Sequence, residues 1–484
     1  ADASRSTEEE AATRSSRDLD AENGTADSIT IQLNADGTPA GYGDGEHWYY
    51  SAASGCQLDT GVFALQPSSE PEAESALKAR LFRIGDKAEL VRGTVGCGTN
   101  NYGTIFDGIF QGKVANFRTI SGGTFQGEVN NWETISNGTF QREVDNAGTI
   151  SDGTFHGKVY NYGNISDGIF QQPVDNRKTI SGGTFQGSVY NFRGTISNGT
   201  FQGILHNDSG TISGGTFEEA VEVNAASGAE AKIEGGTFKK SMTLENNDAP
   251  ITISNGLFDG EVFTGICRFP LSISGGLFTK AVDVSHVNNP TDLSITGGYF
   301  VNKPALPEGS DIAFTSVSDQ AGRTFQVPVN GGFSESYTSL FVPHGSSEQP
   351  NTITVKTNTK LLYYLADDER VPVLDSDSDG YVYKIPVQNY EKIVLVTEES
   401  APPTPDEPGG ELDPAFSSAL SVVLATAGFG SIAYIYGTSV YLYYAMPDGF
   451  IPSTRQELAT VLWTAAGKPD PVSTCLLYTS PSPR

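Results

Sequence analysis

The sequence predicts an all-β chain whose main body is a single-stranded β-solenoid of about thirteen coils. Three observations predict it. Ile recurs at positions 105, 120, 135, 150, 165 and 180, then at 196, 212, 233, 253, 273 and 295. A Phe follows each Ile by five residues, from Phe110 to Phe300, with a Gly two places before every one. A third apolar residue stands nine after the Ile: Val114, Val129, Val144, Val159, Val174, Val189, Leu205, Val221, Met242, Val262 and Val282. Spacings of five and four do not make the 3.6-residue stripe of a helix. They fit a coil of three short strands, each turning one large side chain inward and its flanking residues outward.

Each part of the repeat has a place in that coil. Thr-Ile-Ser, Thr-Phe-Gln and x-Val-x form three walls, and the Gly before Thr-Phe supplies a corner where a Cβ would clash or φ must be positive. Asn116, Asn131, Asn146, Asn161, Asn176, Asn191 and Asn207 share one register, eleven after the Ile, and stacked Asn can bond coil to coil. Leu90, Gly93 and Val95 fit as an earlier, degenerate coil. The first coils are fifteen residues long and later ones widen to 20–22, with the added residues entering after the Val. One coil buries almost nothing alone, and a stack buries a continuous column. At about 4.8 Å per coil the rod is roughly 60 Å long.

The remaining segments divide by composition. Residues 1–27 are polar and expected to be disordered. Residues 28–89 are read as an N-terminal β cap, because an open solenoid end is an aggregating edge, and 90–304 as the solenoid. Residues 305–398 lose the repeat, and "NTITVKT", "LLYYLA", "YVYKIPV" and "EKIVLVT" read as strands of a small β-domain. Residues 399–414 are a Pro-rich linker. Residues 415–447 carry no charge until Asp448, and 415–436 is long enough for a membrane span or for a buried Gly/Ala-rich helix. Residues 475–484, "CLLYTSPSPR", resemble one reading frame of a transposon-end sequencing adapter and are set aside as an artefact. The chain starts at Ala1, as a processed or partial chain would.

Composition excludes some functions. The chain has 484 residues and a formal net charge of −28, which repels nucleic acid and anionic lipid. Cys56, Cys97, Cys267 and Cys475 have no metal-type spacing, and Cys56–Cys97 is a conceivable disulfide. The five His residues form no HxH or HExxH pair, so no zinc site is expected. No cofactor is implied.

Four surface patterns are candidates for chemistry. Lys113, Glu128, Glu143 and Lys158 share a register, and Glu128 and Glu143 would lie about 5 Å apart at the backbone, near the separation of a retaining glycosidase. A solvated charge ladder explains the same residues, and no catalytic residue is assigned. An aromatic column follows the Asn corner at Tyr102, Phe117, Trp132, Tyr162 and Phe192, interrupted by Ala147 and Arg177. It reads either as mutual stacking or as a carbohydrate-binding strip. Outward Thr119, Thr134 and Thr149 with Ser121, Ser136 and Ser151 make a flat array of the kind found in ice-binding solenoids, or simply good strand residues. "DSDSDG" at 375–380 opens like a calcium loop, but its twelfth position is Pro386 rather than Glu, which leaves a polar hairpin turn.

The C-terminal segment carries a family resemblance. In "GFIPSTRQELATVLWTAAGKPDP" at 449–471, Thr454 and Glu457 form a capping box, and Leu458, Val461, Leu462 and Ala465 form an apolar helix face. Phe450, Pro452 and the tetrad Thr454, Arg455, Gln456, Glu457 resemble the Phe-x-Pro and Thr-Arg-Ala-Glu of S-layer homology modules. The resemblance covers 448–474. It departs in a shorter Pro-to-Thr gap and in the uncharged stretch standing where the family has a helix. Membership would imply binding of cell-wall polysaccharide, with Arg455 as the matching contact. The repeats also resemble the Gly-Gly-Thr-Phe repeats of secreted bacterial surface proteins. Together these imply a non-enzymatic bacterial cell-surface stalk or adhesin, wall- or membrane-attached. The alternative is a carbohydrate-binding or polysaccharide-cleaving β-helix protein acting on cell-wall, host or dietary polysaccharide.

Overall fold

A computed structural model describes residues 28–398 apart from 71–74, 227, 345–350 and 374–380. The expected disordered segment 1–27, the turn 375–380, the linker, the uncharged stretch 415–447, the segment 448–474 with Arg455, and 475–484 lie outside the described residues. The chain divides into two compact units, of which the first ends at Glu399.

That first unit is all-β and is built around a parallel β-solenoid. Ile120 lies in register between Ile105 and Ile135, Phe125 between Phe110 and Phe140, and Val129 between Val114 and Val144. These three inward positions are 0–1% exposed through the fifteen-residue coils. Each wall is only two or three residues long, as in Thr119–Ile120, Thr124–Phe125 and Val129–Asn131. A strand that short contributes almost nothing by itself. Its stability comes from the rungs above and below, to which its backbone is bonded, as when the Ser121 N–H donates to Ile105 O at 2.7 Å.

The corner before the Phe wall requires Gly for two reasons. Gly123 has φ +104°, and a Cβ on it would sit 2.9 Å from the carbonyl oxygen of Gly108 one coil earlier. Past that corner the phenyl rings stack face to face from Phe110 to Phe300, with successive centroids 4.4–5.0 Å apart. The column closes at its C-terminal end, where Phe314 meets Phe300 edge to face at 5.6 Å.

The Asn register is a second, polar column inside the first. Asn101 Nδ2 donates to Asn116 Oδ1 at 2.6 Å, and the pattern repeats coil by coil to Asn207, each link 2.6–2.7 Å. The same amides bond the turn backbone, as Asn116 Nδ2 does to Thr134 O at 3.0 Å. The side chains are buried, so these bonds satisfy groups that would otherwise be costly to hold away from water.

Widening follows from a longer third wall. It grows from Val114–Asn116 to Val221–Ala225 and Val262–Cys267. Alternation along five residues then buries further positions: Val223 and Ala225, and Leu244 and Asn246. The first wall gains Ala231, Ile251, Leu271 and Leu293 as second inward residues. In register with Asn207 the next rung carries Val223, so the polar column gives way to an apolar one.

At the N-terminus the structure differs from a separate cap over 28–89. Strands β1 (Ile29–Gln32), β3 (Gly55–Gln66) and β4 (Phe82–Arg92) are themselves parallel rungs, with Ile29 opposite Phe63 and Phe63 opposite Leu90. The solenoid therefore begins before residue 90. Its first coils are long and irregular, and β2 (Trp48–Ser51) folds antiparallel onto β3 as a lateral flap.

Residues beyond the last coil form the expected small β-domain, fastened along the side of the rod. The expected strands are present as Asn351–Thr357, Leu361–Ala366, Val382–Val387 and Lys392–Thr397. The domain packs on the outer face of the Phe wall, where the usual outward Thr is replaced by Leu257, Leu277 and Tyr299. Leu277 is fully buried there, and Tyr299 Oη accepts from the Thr354 N–H at 2.9 Å. A hairpin tip reaches further back, with Asn330 Oδ1 accepting from Gly236 N at 3.2 Å and Asn330 Nδ2 donating to Gly236 O at 2.9 Å. Among the described residues no helix is long and apolar enough to cross a membrane.

Candidate functional site

The outer faces of the three walls carry different chemistry. On the Ile wall, Thr side chains are half-buried, and Ser hydroxyls are tied back to the core backbone. Ser136 Oγ donates to Ile120 O and Ser151 Oγ to Ile135 O, both at 3.2 Å. The Thr-x-Ser array is thus partly spent on the fold. On the Phe wall a row of Gln runs beside His156, whose Nδ1 lies 2.6 Å from Gln171 Oε1.

The charged register resolves into ion pairs between coils. Lys113 Nζ is 3.1 Å from Glu128 Oε2, with both side chains more than half exposed. Such a pair contributes at most about 1 kcal/mol. Lys158 also reaches the following coil, to Asp175 Oδ2 at 2.8 Å, and lies 4.3 Å over the Tyr160 ring. Its hydrogen bond to Asp175 raises its pKa above the ordinary lysine value. Glu128 and Glu143 stand on an open wall, and no cleft encloses them.

The three described thiols are free. Burial pushes Cys56 up to about 12, with a smaller contribution from nearby Cys97, and pushes Cys267 up to about 11. Such thiols are poor nucleophiles at neutral pH. Among the described residues no three His, Cys, Asp or Glu side chains converge as metal ligands would.

The aromatic column is where the surface is most organised. Each residue follows a buried Asn, which fixes the corner backbone and projects the next side chain outward. Tyr102, Phe117 and Trp132 stack in parallel, with centroids 4.8 and 4.6 Å apart. Arg83 covers the outer face of Tyr102 at 4.8 Å. Farther along, Arg177 lies 5.9 Å from the Tyr162 centroid and 5.1 Å from that of Phe192, filling the rung between them. The residues expected as a carbohydrate strip are therefore aligned, but most ring faces are covered by one another or by guanidinium groups. A ring whose face is covered offers a ligand only its edge. Faces remain open at one place, between Trp132 and Tyr162.

Two features escaped the sequence reading. Arg83 and Arg177 act as cation–π partners of the rings, and Arg83 lies outside the regular repeat. A second column rises one position before the Asn, where Tyr190 stacks on His206 at 4.6 Å. The strand alternation, with Asn inward and both its neighbours outward, is the signal that pairs these two columns.

No protein-family model, curated protein or solved structure matches the chain.

Proposed function

We propose that the chain is a non-enzymatic bacterial cell-surface stalk or adhesin, in which the β-solenoid is a stiff rod and the C-terminal region attaches it. The observation that carries this reading is the pair of continuous columns, Phe rings and Asn amides, running the length of the regular coils. Bending such a rod would separate rings and break buried hydrogen bonds together, so a load is shared along it. The exposed Lys113–Glu128 pair on an open wall supports a solvated ladder in place of a catalytic acid and base. The test is a reducing-end assay of the full chain on cell-wall, host and dietary polysaccharides. No release is expected, and release of sugar ends would overturn the reading.

Attachment has two incompatible forms. If 415–436 spans a membrane, the acidic residues before it and Arg455 and Lys468 after it place Arg455 in the cytoplasm by the positive-inside rule. Arg455 then cannot bind wall polysaccharide. A Cys placed near Lys468, probed with an impermeant thiol reagent on wall-stripped cells, separates them: labelling excludes the span, and protection excludes the wall-binding module.

The alternative reading, a carbohydrate-binding protein, draws on one specific observation, the open ring faces of Trp132 and Tyr162.

A further inference from the structure

We infer that the rung at Ala147 is a binding slot for one neutral pyranose ring, held between the faces of Trp132 and Tyr162. The three residues occupy consecutive coils at the same corner position, as their backbone bonds to Asn116, Asn131 and Asn146 one coil earlier establish. Trp132 is stacked on Phe117 on one side only, and no ring contact joins it to Tyr162 among the described residues. The two rings are 45% and 51% exposed, the most open members of the column.

The size of the gap follows from the fold. Two coil steps separate the rings by about 9.6 Å, so a guest midway sits about 4.8 Å from each. A flat ring fits that spacing too, as Phe117 does between Tyr102 and Trp132 at 4.8 and 4.6 Å, so the choice of guest rests on the polar groups beside the slot. A pyranose chair is puckered and carries axial C–H groups on both faces. It can present those hydrogens to both rings while its equatorial hydroxyls point out of the gap. The neighbouring interruption supports the same geometry: at Arg177 the chain supplies its own insert between Tyr162 and Phe192. At Ala147 it supplies only a methyl group.

The surroundings suit hydroxyls. Asp145, outward on the third wall, and Glu133, next to Trp132, are exposed acceptors beside the slot. Gly148 fixes the backbone beside the slot, because a Cβ there would collide with the Glu133 carbonyl one coil earlier. Two carboxylates and a chain charge of −28 select against uronic acids and other anionic sugars. The inference is independent of the stalk reading: the rod can be a stalk whether or not this rung binds sugar.

The test uses the full chain with cellopentaose, xylopentaose and chitopentaose, followed by calorimetry, and indole as a flat comparison ligand. Ala147→Phe should complete the ring stack, keep or raise the melting temperature, and weaken binding at least tenfold. Trp132→Ala should weaken binding similarly and covers the case in which the filled variant does not fold. Binding of at least one oligosaccharide, lost in a folded variant, supports the slot. The proposal is overturned if none of the three binds, if binding persists undiminished in the folded variants, or if indole binds there more tightly than every sugar.

Discussion

The side-chain amide of Asn146 donates to the side-chain oxygen of Asn161 at 2.7 Å, and Asn161 passes the same bond on to Asn176 at 2.7 Å. Each amide is thus donor to one neighbour and acceptor from the other.

Removing a middle link orphans groups on both sides. Asn161→Ala should destabilise the solenoid by about 1–3 kcal/mol for each buried group left unpaired. Asn207→Val should cost clearly less, because Asn207 ends the ladder and Val223 already occupies the next rung. Denaturant unfolding of the two variants checks this, and equal losses would contradict the ladder as a cooperative chain.

Inward and outward positions should differ sharply. Phe155→Ala removes a ring stacked on both faces at 4.7 Å and should cost about 3–5 kcal/mol. Gln141→Ala, exposed one residue after a core Phe, should be nearly neutral. Thermal melts that coincide would refute the assignment of faces.

The small β-domain should loosen before the rod does. Tyr299→Phe removes the Oη that accepts from the Thr354 N–H, with an expected cost of about 1 kcal/mol. Hydrogen exchange should accelerate at 351–357 while the fifteen-residue coils stay protected. Equal acceleration in both would show that the domain does not open locally.

Acid should act on the N-terminal flap. Backbone N–H groups of His47 and Glu46 bond the Asp44 carboxylate at 2.7 and 3.0 Å and, as the largest causes, hold its pKa below the ordinary range. The folded value is the lower one. Its contribution is therefore complete above about pH 4, the unfolded carboxylate value, and is lost as pH falls below that toward the folded value. The carboxyl carbon shift of Asp44, followed by NMR from pH 6 to 2, should titrate later than that of an unpaired Asp. Asp44→Asn should flatten the local acid response.

How much was legible depends on whether a feature repeats. Ile, Phe and Val at fixed offsets, the corner glycines and the Asn ladder each recur often enough to identify a face and its neighbours. The first coils were not legible, because β3 and β4 carry Phe63 and Phe82 inward without any Gly-Thr-Phe frame. Val223 and Leu244 were missed because strand length decides how many alternate residues face inward. The docking face left a trace in Leu257, Leu277 and Tyr299, which break the outward Thr row. At the corner, the ring column and its interruptions were legible as positions. Which faces stay open was not, because that depends on Arg83 and Arg177 reaching across coils.

The regular coils are equal in length and carry the same inward residues at the same offsets. Any one of them could be copied or deleted without disturbing the irregular coils before it or the wide coils after it. The molecule is in that sense a ruler, whose length duplication within the gene can change in steps of about 4.8 Å while the coils at both ends keep their own neighbours. The wide coils then serve as an index mark: their longer period does not match the regular one, so a chain folding one coil out of step would meet the wrong partner there.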